Sequence, residues 1–533
     1  MLVGRSDVVS DTPPAWSDPR LLALTALGAV LRAFEVGAES LWIDEIVTID
    51  IVSTVPTHEL FTFVPQYQPH FPTYYVLLDL WTELVGTHPA VVRAPGVVFG
   101  VLSVPLLVRL GSRLFDRPTG FLAGGLVAIS SFQLAHAQEA RMYSLVVLLT
   151  IVSTEWLVRA LNGAGRRTVL GYVVAASVLT YTHPMAGLAV LAQVLAVGVL
   201  HRGRVVGLLG RRLVVGILVA GVVGALPLAA FVFETFLSGI ELTFTRFSGV
   251  AVGETVVAFF GQWPSPAVAA SVACAVVSFA AIGGRDLRSN WRTALTVALA
   301  MVPLAVLLLA SYLVTSFLWP RYAIVAAPAW YVLVGRGVVD VALPAAASLR
   351  SSTAGGDAGL TVVRRAAVVV LAVTLVAGTV GGTVAYHTTP DREQWEEAGD
   401  LLDRRASDDA VVLVSECVTR RAVVRYTDRP HRIEGIVGPE TATGLPRTDS
   451  EHVSRLVRST DEVWVVYSHV ADREVNRIGR ITGRTHTKTL DRSFVGVRVV
   501  RYEGNASVET VASTRCRDRN IPIASKNDAK AVA

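Results

Sequence analysis

The feature that most constrains this chain is a succession of apolar runs, each close to the ~20 residues needed to cross the hydrocarbon of a bilayer. They fall at about 20–37, 90–109, 118–136, 142–160, 168–183, 185–201, 212–233, 265–283, 293–315, 320–339 and 364–386, joined mostly by short loops rich in Gly and Arg. Inside lipid a segment must satisfy its own backbone polar groups, so runs of this kind commit the chain to α-helices. The expected fold is therefore an α-helical polytopic membrane protein of about eleven transmembrane helices. The first run has no small-residue cleavage site behind it and reads as a signal anchor. Four regions follow from the pattern: a tail over 1–19, a transmembrane domain over 20–386, a charged domain over 387–503 and a disordered tail over 504–533.

Fifty-two per cent of the residues are apolar and 17% are charged, outside the range of a soluble chain of 533 residues. From Asp391 onward 24 basic and 23 acidic residues nearly balance, so the net charge of +5 sits almost wholly in the apolar part. Positive charge placed there reflects loops facing anionic lipid and gives no reason to expect nucleic acid as a partner. Three cysteines are too few for a disulfide scaffold; Cys417 and Cys516 can be read as one bridge or as two thiols.

The arginines orient the helices. With the N-terminus cytoplasmic, alternate loops gather nineteen of the 24 basic residues that precede Asp391 on the inner side, as the positive-inside rule requires. An odd number of spans then leaves the C-terminal domain outside the plasma membrane. Five arginines, Arg32, Arg93, Arg141, Arg246 and Arg321, fall on the outer side against this bias. Each either snorkels to lipid headgroups or binds an anionic group, for which a guanidinium suits phosphate.

Four polar clusters share that outer face. The first external loop, about 38–89, opens with Ser40-Leu41-Trp42-Ile43-Asp44-Glu45. Two carboxylates at a membrane exit either cap a helix running through Ile51 or carry chemistry. The same loop holds Gln68-Pro69-His70-Phe71-Pro72-Thr73-Tyr74-Tyr75 before an amphipathic stretch, Val76–Val85, expected to lie at the interface with Tyr and Trp at headgroup level. The third run ends in His136-Ala137-Gln138-Glu139-Ala140-Arg141-Met142-Tyr143, the fifth in Tyr181-Thr182-His183-Pro184, and Trp319-Pro320-Arg321-Tyr322 joins the ninth to the tenth. The inner loops show mainly Arg, Gly and Ser among their polar and small residues, an asymmetry that points to an outward-facing site.

Together these motifs resemble the polytopic type C (GT-C) glycosyltransferases that use lipid-phosphate sugars, such as the protein O-mannosyltransferases and the aminoarabinose transferases of lipid A. Asp44-Glu45 is similar to their paired acidic motif. The Pro69–Tyr75 stretch is similar to their His-Pro-Pro-Leu type motif, with Phe71 where Pro is frequent. Gln138–Ser144 and Pro320-Arg321-Tyr322 match prokaryotic versions. The resemblance covers about residues 20–340. It implies a polyprenyl-phosphate (dolichyl-phosphate) sugar as donor and a glycan, protein or lipid as acceptor, with membrane lipids around the protein. It further implies Asp44 as general base, Glu45 as an orienting carboxylate, and His70, Arg141, Tyr143, Arg321 and Tyr322 around the donor phosphate and sugar, with Arg93 and His183 as further candidates. Some relatives hold a metal near this site; no close His/Glu pair here demands one, so a divalent metal stays open and no other cofactor is assigned.

A transporter or flippase of a lipid-linked or anionic substrate is the main rival class, but the halves of the chain show no self-similarity and the polar residues cluster at one interface instead of mid-span. Beyond Asp391 the pattern predicts helices over Asp391–Ala406 and Arg473–Thr485 and strands over Ala410–Ser415, Glu462–Tyr467 and Phe494–Tyr502, a small external α/β domain. Asn505-Ala506-Ser507 is a glycosylation sequon. The sugar, the polyprenol, the acceptor and the oligomeric state leave no mark on the sequence.

Overall fold

The structure, a computed structural model, describes residues 13–67, 70–163, 165–200, 291–313, 318–350, 375–390, 392–415, 417–428, 432–436, 450–470 and 472–504, with residue 373 and short pieces between 215 and 260. The expected span over 265–283, most of that over 212–233, Arg246, Cys274, Cys516, the sequon and the expected disordered tail beyond 504 lie outside the described residues. The chain forms two compact units, one from residues 1–36, 64–77 and 93–388, the other from 37–63, 78–92 and 389–533.

In chain order the helices are α1 (Pro19–Ala33), α2 (Ile43–Thr54), α3 (Leu60–Tyr67), α4 (Pro72–Val85), α5 (Pro89–Leu114), α6 (Arg117–Ile129), α7 (Ser131–Ala137), α8 (Tyr143–Asn162), α9 (Arg166–Thr180), α10 (Gly187–Leu200), α11 (Trp291–Leu313), α12 (Ala327–Arg350), α13 (Trp395–Arg405), α14 (Cys417–Tyr426), α15 (Ser450–Arg458) and α16 (Asp472–Thr482). Five strands accompany the last four: β1 (Val411–Val414), β2 (Arg432–Gly435), β3 (Glu462–Tyr467), β4 (His486–Phe494) and β5 (Val497–Gly504). Among the described residues α5, α8 and α11 are long and apolar enough to cross a membrane. The pair α6 and α7 meets the same test jointly, bent by 58°.

The first unit is a bundle of these apolar helices, with α1 against α6, α8 against α9, α10 against α11, and α6 and α11 against α12. Local signals start them. Asp18 accepts the N–H of Arg20 at 2.9 Å before Pro19 opens α1, and Asp116 accepts the N–H of Thr119 at 2.8 Å before α6. α5 and α6 approach so closely that a Cβ on Gly120 would lie 2.2 Å from the Val108 carbonyl oxygen. Only glycine fits there.

The bend between α6 and α7 explains Arg32. At the break the carbonyls of Val127 and Ala128 lose their helical donors, and Arg32 supplies replacements from Nη2 (2.7 Å) and Nη1 (3.0 Å), while also reaching Gly28 on its own helix. Ser130 restarts the chain as α7, accepting the N–H of Gln133. Arg32 is fully buried in these contacts.

The second unit is built on a sheet ordered β2-β1-β3-β5-β4, with β1 parallel to β2 and β3, and β5 antiparallel to β3 and β4. Its core joins Val411 and Leu413 to Val463, Val465, Val500, Leu456 and Ile478. Strand β3 has its expected ends. The expected strand over Phe494–Tyr502 is instead a hairpin, because Gly496 (φ 68°) turns the chain between β4 and β5. The expected helix from Asp391 begins only at Trp395, since Glu393 is drawn away to another helix end. α4 contains the expected stretch Val76–Val85 and starts earlier, at Pro72; Tyr74 and Tyr75 are fully buried, Trp81 is half-buried, and Leu80, Glu83, Leu84 and Val85 are exposed.

Candidate functional site

In the first unit the segments carrying the outer-face motifs converge. The turn between α7 and α8 is held by Ser144, whose hydroxyl donates to the His136 carbonyl at 2.7 Å, and by His136 Nδ1 3.2 Å from Glu139. Gly96 of α5 lets this turn lie close, since a Cβ there would sit 2.7 Å from the Ala137 oxygen. Gln138 anchors it further, donating to the carbonyls of Arg32 and Phe34 at the end of α1 and accepting from the Tyr386 hydroxyl. Arg141 and Tyr143 lie in this turn and at the start of α8.

Around them stand the other expected residues of this unit. Arg141 Nη2 donates to His70 Nε2 at 2.9 Å. The His183 ring lies 5.6 Å from that of His70, 5.8 Å from Tyr143 and 5.8 Å from Tyr322. The guanidinium of Arg321 sits 5.5 Å from the ring centroids of both Trp319 and Tyr322. His183 lies in the turn between α9 and α10, where its Nδ1 accepts the N–H of Met185 at 3.1 Å. An Nδ1 that accepts leaves the proton on Nε2. That Nε2–H is buried and has no partner among the described residues. Residues 70, 141, 143, 183, 321 and 322, from four separate segments, thus form one cluster of two guanidiniums, two phenols and two imidazoles. Cations and hydroxyl donors set together in this way can receive a phosphate or a sugar hydroxyl. Arg93, on α5, is fully buried and donates to the Val36 carbonyl at 3.0 Å.

Asp44 and Glu45 belong to the second unit, in the first turn of α2. Glu45 is buried and returns to accept the N–H of Trp42 at 3.2 Å, closing the helix start, whereas Asp44 is part-exposed. The C-terminal segment fixes this helix start through several contacts. Glu393 accepts the N–H of Ile43 at 2.9 Å and the indole N–H of Trp395 at 2.6 Å. The Tyr426 hydroxyl accepts from the N–H of Leu41 (2.7 Å), and Arg421 donates to Asp50 (3.2 Å) on the same helix. Nothing in the sequence marked Glu393, Tyr426 or Arg421, because each sits among similar residues in a charged stretch and its partner is hundreds of positions away. Among the described residues no three His, Cys, Asp or Glu side chains are grouped to hold a metal.

No protein-family model matches this sequence, and no curated protein matches it. Solved structures do. The crystal structure of ArnT from Cupriavidus metallidurans in the apo state aligns with a TM-score of 0.55 at 14% identity, over 90% of this chain and 97% of that one. ArnT from the same organism bound to undecaprenyl phosphate aligns with a TM-score of 0.53 at 15% identity, again over 90% and 97%. The apo oligosaccharyltransferase of Archaeoglobus fulgidus gives 0.51 at 12% identity, over 91% of this chain and 74% of that one. With its bundle of apolar helices and its small C-terminal sheet, this multi-pass membrane protein has the GT-C fold.

Proposed function

We propose that the protein is a membrane glycosyltransferase that moves a hexosyl unit from a polyprenyl-phosphate donor to a hydroxyl of a glycan, protein or lipid acceptor on the outer face of the plasma membrane. The observation that carries this reading is the cluster of Arg141, His70, Tyr143, His183, Arg321 and Tyr322, which offers guanidiniums and hydroxyl or imidazole donors to one anionic group. The undecaprenyl phosphate bound to a structure of the same fold supports phosphate as that group.

In the proposed reaction the acceptor oxygen attacks the anomeric carbon as Asp44 takes its proton. The bond from the anomeric carbon to the phosphate oxygen breaks, its electron pair leaves on the lipid phosphate, and the anomeric centre inverts. Phosphate departs without protonation, so one base suffices, and Arg141 and Arg321 balance the charge that grows on it. Glu45, beside the base, orients it or the acceptor. The topology inferred from the arginines puts about eleven spans in the membrane, the N-terminus inside and the C-terminal domain outside.

The test is transfer by the purified protein in lipid nanodiscs, supplied with radiolabelled polyprenyl-phosphate sugars and with cell-envelope glycan as acceptor. Label appearing in the acceptor supports the reading, and mass spectrometry of surface glycans from cells with and without the protein would identify the sugar. Label crossing the bilayer still attached to its lipid would support the transporter instead.

A further inference from the structure

The second unit contains a cavity of about 290 Å³ that the proposed transfer does not use. Three features of the chain build it. Residues of a strand alternate between faces, so Arg498, Val500 and Tyr502 of β5 share one face. On one side β3 sets Tyr467 opposite Arg498 and Val465 opposite Val500. On the other, β4 sets Lys488 opposite Tyr502 and Asp491 opposite Val500. Three positions apart in a regular strand, Lys488 and Asp491 would point to opposite faces. A register shift between Lys488 and Leu490 inserts one extra residue and brings both to the face of Arg498. The Lys488 ammonium then lies 2.8 Å from Asp491, which Arg498 also grips through two nitrogens at 2.9 and 2.7 Å.

Helix α16 forms the other wall with Val475, Asn476, Gly479 and Arg480. A Cβ on Gly479 would lie 3.5 Å from the Tyr502 hydroxyl, so a longer side chain there would enter the cavity. Glycine inside a helix costs about 1 kcal/mol against alanine, and here it keeps the space open. The floor is apolar, made by Val475, Val500 and the buried rings of Tyr467 and Tyr502. The rim is polar and positive: Arg480, Lys488 and Arg498 outnumber the one carboxylate of Asp491. Arg480 uses only its Nε, on the Asn476 carbonyl at 3.3 Å, and its terminal nitrogens have no partner among the described residues.

An apolar, aromatic floor suits the C–H face of a sugar ring, and a ring of N–H and O–H donors suits its hydroxyls. The surplus positive charge selects an anionic substituent. The volume is at the small end for ligand pockets, roughly 300–1,000 Å³, and accommodates one ring. We propose that this cavity binds one acidic monosaccharide unit, bearing a carboxylate or a phosphate, of an envelope glycan. The choice of a sugar rests on the transferase reading; the site itself does not.

The experiment is isothermal titration of the full-length protein in nanodiscs, without donor lipid, using glucuronic acid, glucose 6-phosphate, glucose and inorganic phosphate. At least one of the two acidic sugars should bind saturably and about tenfold or more tighter than glucose and phosphate, the scale of one charged hydrogen bond. The double variant Arg480→Gln/Lys488→Gln should weaken that binding about tenfold or more, on the same scale. Gly479→Leu should abolish it, and Arg484→Gln, exposed and outside the cavity, should leave it unchanged. The proposal is overturned if neither acidic sugar binds, if glucose or phosphate binds as tightly as the better of the two acidic sugars, or if Gly479→Leu and the double variant both bind like the parent. Because no donor is present, loss of transfer activity and loss of this binding are read separately.

Discussion

The Nη2 nitrogen of Arg141 lies 2.9 Å from Nε2 of His70, and both side chains are buried. A guanidinium can only donate, so His70 Nε2 accepts and holds the arginine in one orientation. Arg141→Lys should therefore raise the KM for donor lipid by about tenfold or more, since a point charge replaces a planar fork. His70→Gln, which keeps an acceptor, should retain more activity than His70→Phe. The comparison is steady-state transfer, with Arg166→Ala, an exposed arginine, as the unaffected control. Arg113 would be a poor control, because it pairs with the buried Glu155 at 2.9 Å. Normal donor kinetics in Arg141→Lys would remove this arginine from the phosphate site.

Asp44 and Glu45 are neighbours in sequence with different surroundings. Asp44→Asn should leave a folded protein with turnover lowered roughly a hundredfold or more, the usual scale for loss of a general base. Glu45→Gln keeps an acceptor for the Trp42 N–H and should do less harm to turnover, while Glu45→Ala should also lower thermal stability, by about 1 kcal/mol for the lost cap. Turnover and melting temperature measured on the same preparations separate these outcomes. Near-normal turnover in Asp44→Asn would refute the assignment of the base.

Arg32 predicts the opposite combination. Arg32→Met removes the donors to Val127 and Ala128 and leaves buried carbonyls unsatisfied, at about 1–3 kcal/mol each. Folded yield and melting temperature should fall, while the donor KM of the protein that does fold should stay close to normal. A raised donor KM with unchanged melting temperature would show that Arg32 serves the ligand after all.

Topology can be read by cysteine labelling. Gly163→Cys should react only with reagent given from the cytoplasmic side, and Thr489→Cys only with reagent given outside. Both positions are exposed, whereas the neighbouring strand end at Ser468 is buried. Labelling of Gly163→Cys from outside would reverse the helix order drawn from the arginines.

The carboxyl of Asp491 is held well below the usual carboxylate range, first by its hydrogen bonds from Arg498, which outweigh the opposing effect of burial, and further by Lys488. A carboxylate with a lowered pKa in the folded state adds stability above its unfolded pKa, near 3.9, and that stability is lost as the pH falls through the folded value. The parent should therefore melt above Asp491→Asn at pH 6, and the gap should narrow as the pH falls below about 4. A gap that did not change between pH 6 and pH 3 would contradict this account.

Much of the architecture was legible in the residues, though unevenly. Hydropathy located the apolar helices, and the apolar run within Glu462–Tyr467 located β3. Strand β4 escaped because it is an edge strand whose side chains are mostly exposed and polar, so it has no apolar alternation. The candidate site residues His70, Arg141, Tyr143, His183, Arg321 and Tyr322 were visible as motifs, but Glu393 and Tyr426, which hold the start of α2 within the second unit, were not.

The physical reason for the difference is range. A helix in lipid closes its hydrogen bonds within four residues, and a buried strand shows itself by its own apolar side chains, so composition and periodicity along the sequence determined that this is a multi-pass helical protein with a small α/β domain. Arg141 and His70 are 71 residues apart and Ile43 and Glu393 are 350 apart. Whether such groups meet depends on how the helices pack, and packing is settled by side-chain shape over the whole unit. Tertiary structure alone therefore decided that Arg32 closes a broken helix, that Glu393 caps α2 instead of starting α13, and that one extra residue in β4 brings Lys488 and Asp491 to the same face as Arg498.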